Sequence, residues 1–115
     1  MRFLCIYKPA AKEGTPPTPE MMETMGKFIE QSFKEGFLLS TEGCLPSALG
    51  ARVRSTNGQY KVTDGPFTEA KEIVGGFALL NVASKEEAIQ LTKNFLKVAG
   101  DGVCELRQLY EQPAK

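Results

Sequence analysis

Histidine is missing from all 115 residues. That absence removes the Ser/His/Asp triad, the Cys/His dyad, HExxH zinc sites and histidine-ligated haem, and it leaves carboxylates, tyrosines, thiols and cations to carry any chemistry. Net charge is missing as well, because 14 Lys and Arg offset 14 Asp and Glu. With no overall field to hold a polyanion, nucleic acid is not an expected partner. Cysteine is scarce. Cys5, Cys44 and Cys104 are odd in number and form no CxxC pair, which fits reduced thiols in the cytoplasm rather than a disulfide framework. Their spacings build no metal site, and no cofactor is expected. Long apolar runs are also absent. The longest, Phe3 to Tyr7, is followed by Lys8 and Pro9 and is too short for a secretory h-region or a spanning helix, so no membrane association is expected. There is no internal repeat and no low-complexity tract.

What remains describes an ordinary globular chain. Hydrophobic residues make up 42% and charged residues 24%, enough apolar surface for one core, and residues 1–115 read as a single domain ordered apart from its ends. Arg2 to Tyr7 reads as a first strand buried on both faces, since its apolar residues follow one another without helical spacing. After a loop containing Pro9, Gly14, Pro16 and Pro17, the run Thr18, Pro19, Glu20 supplies an N-cap, an N1 proline and an early acid. The helix should run from Pro19 to Glu35, stop at Gly36, and turn Met22, Met25, Phe28, Ile29 and Phe33 toward the core. The same methionines could instead form an adaptable binding face.

Phe37 to Ser40 reads as a second strand and Gly43 to Gly50 as a loop. Asn57 and Gly58, between Ala51 to Ser55 and Gln59 to Thr63, give a strong signal for a tight hairpin. Alternation then puts Arg52, Arg54, Lys61 and Thr63 on one face, which is basic, and Val53, Tyr60 and Val62 on the other. Ile73 to Val82 reads as a long strand with a bend or bulge at Gly75 and Gly76. Ser84 and Glu87 form a capping box ahead of Ala88, Leu91, Phe95 and Val98, with Gly100 past the end. Val103 to Tyr110 closes the chain as a strand, its alternation separating Cys104 and Leu106 from Glu105 and Arg107.

The element order gives an α+β fold, a ferredoxin-like βαββαβ core with a β-hairpin inserted between its halves. Two helices can cover only one face of such a sheet, yet Phe3 to Tyr7 and Phe77 to Leu80 are apolar at odd and even positions alike. A second copy packed sheet to sheet, a two-fold homodimer, is the economical cover. An apolar ligand groove on a monomer is the alternative.

The run Asp64 Gly65 Pro66 Phe67 Thr68 Glu69 Ala70 Lys71 Glu72, followed by Ile73 to Phe77, resembles the signature of the DGPF branch of the YCII-related family. Val53, Arg54 and Gly58 before it, Ser84 to Ile89 after it, and Glu105 to Arg107 extend the resemblance over nearly the whole chain. The resemblance implies a ferredoxin-like subunit within a dimeric α/β barrel. It also implies an active site built on a His and Asp pair in some relatives. Here only Asp64 is left to transfer, and haem-degrading relatives of the barrel are disfavoured for want of a histidine ligand. Genes of the branch often lie near or fused to extracytoplasmic-function sigma factors, which implies a sigma-factor association.

Asp, Gly and Pro in succession make a tight turn, so Asp64 has a backbone role that needs no chemistry. Three functions compete beyond that. The first is a homodimer holding a small, anionic organic ligand beside the loop, with Arg54 and Arg107 binding the anion and Asp64, Glu69, Lys71 and Glu72 edging the pocket. The second is an enzyme of isomerase or proton-transfer type, with Asp64 as general base, Arg54 or Arg107 holding the substrate and Tyr60 as acid. The third is a regulatory interaction module working with a sigma factor. Cys5 and Cys104, on strands that neighbour each other in this fold, are expected to lie close as buried thiols, with Cys44 exposed.

Overall fold

The computed structural model describes residues 1–67 and 73–111. Strand β1 (Arg2–Pro9) leads to helix α1 (Pro19–Lys34), strand β2 (Leu38–Gly43) and a single 3₁₀ turn (Ser47–Leu49). The hairpin strands β3 (Ala51–Thr56) and β4 (Gln59–Asp64) follow, then strand β5 (Gly76–Asn81), helix α2 (Lys85–Ala99) and strand β6 (Gly102–Gln108). Four strands form one antiparallel sheet in the order β2-β5-β1-β6, and among the described residues β3 pairs only with β4. With the hairpin set aside, this is the ferredoxin-like βαββαβ arrangement.

Both helices start where their capping residues stand. Thr18 accepts a hydrogen bond from the Met21 N–H at 3.1 Å, and Ser84 accepts one from the Glu87 N–H at 3.1 Å, while the Glu87 carboxylate reaches back to the Ala83 N–H at 3.3 Å. Each cap satisfies donors that the first helical turn leaves open. The helices lie over the sheet face that carries Phe3, Cys5, Ala78 and Leu80, where Phe3, Cys5, Leu38, Leu80, Val82 and Ala88 form the buried core. Phe95 of α2 meets Tyr7 edge-on at 5.2 Å and Phe28 of α1 at 6.4 Å, tying the two helices to each other and to β1.

Helix α1 departs from the sequence expectation in which residues it turns inward. Met25, Phe28 and Ile29 are half-buried and Ser32 is buried, whereas Met22 and Phe33 are 60% and 45% exposed. The helix stands off the sheet over an open space, so Met25, Phe28, Ile29 and Ser32 face inward, Met22 borders that space at its exposed edge, and Phe33 falls outside it. Ser32 is tolerated there because its hydroxyl donates to the Phe28 carbonyl at 2.8 Å.

A second correction concerns the long strand. β5 begins at Gly76 rather than Ile73, and its register with β1 continues without a shift to Tyr7 and Gly76. The irregularity sits in the neighbour instead, between Leu38 and Ser40 of β2. A Cβ at Gly76 would stand 2.7 Å from the Glu42 carbonyl oxygen, so the glycine serves close approach of the strand ends rather than a bulge. β2 is also longer than expected, reaching Gly43 rather than Ser40.

The hairpin turns at Asn57 and Gly58, with φ of 50° and 79°, the positive values a type I′ connection demands. Arg54 lies opposite Lys61 and Arg52 opposite Thr63, while Val53 lies opposite Val62 and Ser55 opposite Tyr60. One face is therefore basic and the other apolar, and Val53, Tyr60 and Val62 are 65%, 76% and 62% exposed. The far face of the main sheet is likewise uncovered: Leu4, Ile6 and Leu79 are half-buried and Phe77 and Val103 exposed. The chain is 20 Å across its shortest axis with a radius of gyration of 16.1 Å, against roughly 13 Å for a compact chain of this length.

Candidate functional site

The Asp64 to Phe67 segment is held by a turn that passes beneath it. The Gly65 N–H donates to the Gly50 carbonyl at 3.1 Å, and the Phe67 N–H donates to the Ser47 hydroxyl oxygen at 2.9 Å. Ser47 in turn donates its hydroxyl to one Glu13 oxygen at 2.6 Å and its N–H to the other. Three loops are thereby joined through a single serine. A Cβ on Gly65 would fall 1.6 Å from the Ser47 carbonyl oxygen, so no other residue fits without moving the turn. The Gly65–Pro66 peptide is cis. The Arg52 guanidinium lies 4.3 Å over the Phe67 ring, a cation–π contact that closes the base of the hairpin.

The structure disperses the charged residues singled out in the sequence. Asp64 is exposed at the end of β4 opposite Ala51, on the hairpin face of Tyr60 and Val62, whereas Arg54 points with Lys61 from the other face. Arg107 lies on β6, on the far face of the main sheet, and pairs with Glu105 at 3.3 Å; Glu105 also meets Lys8 at 4.0 Å. Tyr60 is exposed. Glu69, Lys71 and Glu72 lie outside the described residues.

A cavity of about 540 Å³ opens between the helices and the sheet. Met21, Met22, Met25, Phe28 and Ile29 of α1 and Leu91 and Phe95 of α2 form one wall; Cys5, Tyr7, Ala78 and Leu80 form the other, and Thr41, Glu42 and Gly43 of the edge strand β2 complete it. Its size lies within the range of small-molecule sites, and its lining is predominantly apolar and aromatic. Cys5 sits against this space, with Cys104 on the adjacent strand β6. Burial pushes the Cys5 thiol up, and burial together with the neighbouring Cys5 pushes Cys104 up to about 12. Both are protonated at neutral pH and therefore poor nucleophiles. The Tyr7 hydroxyl is also raised, chiefly by burial and then by Cys104 and Asp101. Among the described residues no three His, Cys, Asp or Glu side chains are grouped to hold a metal ion, and no helix is long and apolar enough to cross a membrane.

Compared with known families, residues 1–112 match the YCII-related domain. The chain belongs to the YCII-related family. An uncharacterized protein of Rhizobium meliloti is 38% identical over 50 residues, a stretch covering 44% of this chain and 40% of that protein. The chain thus aligns with about two-fifths of the length of this curated relative. Among solved structures, 5-chloro-2-hydroxyhydroquinone dehydrochlorinase from Burkholderia phenoliruptrix, in complex with 2,5-dihydroxybenzoquinone, is similar with a TM-score of 0.47 and 14% identity, covering 97% of this chain and 96% of its own.

Three features of this YCII-related chain are not evident from its residues in order. Ser47 carries no motif, and its bond to Glu13 spans 34 positions, so only the folded loops bring the pair together. Arg52 reads as one more cation on the basic hairpin face until Phe67 is found beneath it. The cavity had a sequence signal in the methionines of α1, which fit an adaptable binding face as well as a core.

Proposed function

We propose that this protein is a cytoplasmic homodimer of the DGPF branch that binds a small organic molecule between its helices and its sheet. The observation that carries the reading is the cavity of about 540 Å³, which is open and lined mainly by apolar, aromatic and thioether groups. A protein interior is normally packed to crystal-like density, so an apolar space of this size is a feature to be filled. Met21, Met22 and Met25 suit it to ligands of differing outline, since the unbranched thioether adapts its shape at low cost.

Two uncovered apolar surfaces support the homodimer. The far face of the main sheet presents Leu4, Ile6, Phe77 and Leu79, and the hairpin presents Val53, Tyr60 and Val62. A two-stranded hairpin is marginal in water unless something covers one of its faces. A second copy placed sheet to sheet would cover both surfaces with one symmetric contact.

Thermal denaturation of the purified chain against a library of small aromatic and aliphatic compounds tests ligand binding. We expect a rise in melting temperature that grows with ligand concentration, together with chemical-shift changes at Met25, Phe28 and Phe95. Shifts confined to residues away from the cavity, or no stabilisation by any compound, would refute this site. Proton transfer by Asp64 is a second reading, supported by the exposure of its carboxylate on a loop braced from below. It requires that Asp64→Asn abolish turnover of a compound the wild type consumes.

A further inference from the structure

The described lining of the cavity turns no charged side chain into it. It contains no Lys or Arg, and Glu42 is its one acidic residue. Glu42 lies opposite Phe77, and Phe77 opposite Ile6, so strand alternation turns this carboxylate to the far face of the sheet, away from the helices. Thr41, opposite Ala78, takes the helix-facing side instead. Cys5 and Tyr7 also face the helices, Tyr7 meeting Phe95 edge-on at 5.2 Å. Both are uncharged at neutral pH, with burial pushing each titration higher. Wherever the lining hydroxyls point, their protons are committed. Ser32 donates to the Phe28 carbonyl at 2.8 Å, Thr92 to the Ala88 carbonyl at 2.8 Å, Thr41 to the Phe77 carbonyl at 2.9 Å, and Tyr7 to the Asp101 carbonyl at 3.4 Å. Among the described lining residues an entering anion therefore finds neither a cation nor a free hydroxyl proton, and an entering cation finds no carboxylate.

We propose that the cavity admits only uncharged ligands: neutral aromatic or aliphatic molecules, an acid only with its proton on, and an amine only with its proton off. The inference rests on the proposed use of the cavity as a ligand site. A charged group that leaves water for this space loses its hydration and gains no opposite charge or charge-assisted hydrogen bond in return. A neutral body loses little and gains contact with groups such as Met25, Phe28 and Phe95 of the helix wall. Contact between a cation and the lining rings is small against the hydration that an ammonium gives up. The arginines singled out in the sequence do not alter this balance, because neither Arg54 nor Arg107 lines the cavity. Protons must then move with the ligand. A carboxylate takes one from solvent as it binds, and an ammonium releases one to solvent.

Three compounds that share one body separate the ligand class from the site itself: 2-naphthalenemethanol, 2-naphthoate and 2-naphthylmethylamine. Each is titrated calorimetrically into the full chain at neutral pH, in two buffers of different ionisation enthalpy, which counts the protons exchanged. The alcohol should bind with no proton exchanged, and the two charged compounds roughly 100-fold more weakly. Lowering the pH by about two units should raise the affinity for naphthoate roughly tenfold per unit, with about one proton taken up. The alcohol, as the control for an intact site, should not change. Met25→Lys sets a cation in the α1 wall and should admit naphthoate at neutral pH without proton uptake. Met22→Lys places the same charge at the exposed edge of the cavity and serves if the first variant fails to fold. A naphthoate affinity that equals the alcohol's, ignores pH or involves no proton in the wild type would overturn the charge exclusion while leaving the cavity as a site. Failure of the alcohol to bind would overturn the site together with the inference.

Discussion

The main sheet and the hairpin are both antiparallel, alternate polar with apolar residues and pair in regular register, yet they differ in what covers them. In the sheet, Phe3, Cys5 and Leu80 meet two helices and are nearly sealed from water. In the hairpin, Val53, Tyr60 and Val62 form an equally regular apolar row that stands 65%, 76% and 62% exposed. Among the described residues, the hairpin is anchored at its base, through Gly65 to Gly50, Phe67 to Ser47, and Arg52 over Phe67. The contrast teaches that local signals are enough to fold a hairpin but do not stabilise it by burial. Hydrophobic burial needs a second surface, and in the proposed homodimer the partner subunit would supply it for this hairpin.

The largest expected effect falls on the sheet. Phe3 is 2% exposed on the central strand, and Phe3→Ala should destabilise the chain by about 3–5 kcal/mol through lost burial and the cavity left behind. Urea denaturation followed by far-UV circular dichroism would measure it. A loss below about 1 kcal/mol would mean that the helix-covered face is not the stabilising core. The hairpin should respond in a different observable. Tyr60→Lys combined with Val62→Lys should leave the secondary structure intact and weaken self-association by roughly 100-fold, about 2.7 kcal/mol. Sedimentation velocity over a range of concentrations checks this, and an unchanged sedimentation coefficient would remove the hairpin from the interface.

The same contrast explains how much could be read from the order of residues. The capping residues Thr18 and Ser84, the Asn57–Gly58 turn and the alternation of β6 act over a few positions, so their readings agree with the structure. The ferredoxin-like order followed because each element was marked locally. Phe33 falls outside the inward line and Met22 stays exposed at the edge of the open space, because helical spacing identifies an apolar stripe but not the depth at which the helix sits above its sheet. Gly75 and Gly76 suggest a bend or bulge in the sequence because a paired glycine has two uses, and choosing between them requires knowing that the Glu42 backbone passes alongside. The candidate site was the least legible part. Arg54, Asp64 and Arg107 are similar as charges in a sequence, but strand alternation and sheet order send them to different surfaces. The Glu13–Ser47–Phe67 link depends on three loops that only the fold brings together.

The anchored base of the hairpin provides an intermediate test. Gly65→Ala would drive a methyl group into the Ser47 carbonyl and force the turn beneath the loop to move, at a cost of about 1–3 kcal/mol. If the base is what couples hairpin to sheet, amide hydrogen exchange in β3 and β4 should accelerate in this variant more than exchange in β1. Equal acceleration in both would show that the two regions unfold as one unit.

The smallest expected effect belongs to the sheet alone, and it appears only at alkaline pH. The Cys104 thiol ordinarily titrates at 9.0 and is pushed up to about 12 in the folded chain, first by burial and then by Cys5. Above pH 9 the unfolded chain releases this proton while the folded chain retains it, so raising the pH favours unfolding. The contribution is fully present below pH 9 and is lost as the pH rises toward about 12. Urea midpoints measured at pH 8, 9.5 and 10.5 should therefore fall for the wild type, and fall less steeply for Cys104→Ala, which has no thiol to ionise. The hairpin carries no cysteine, so hydrogen exchange referenced to the same pH values should assign the Cys104-dependent part of the loss to the β1 and β6 amides and not to β3 and β4. Identical slopes in wild type and variant would mean that the thiol pair contributes nothing to the pH response of the sheet.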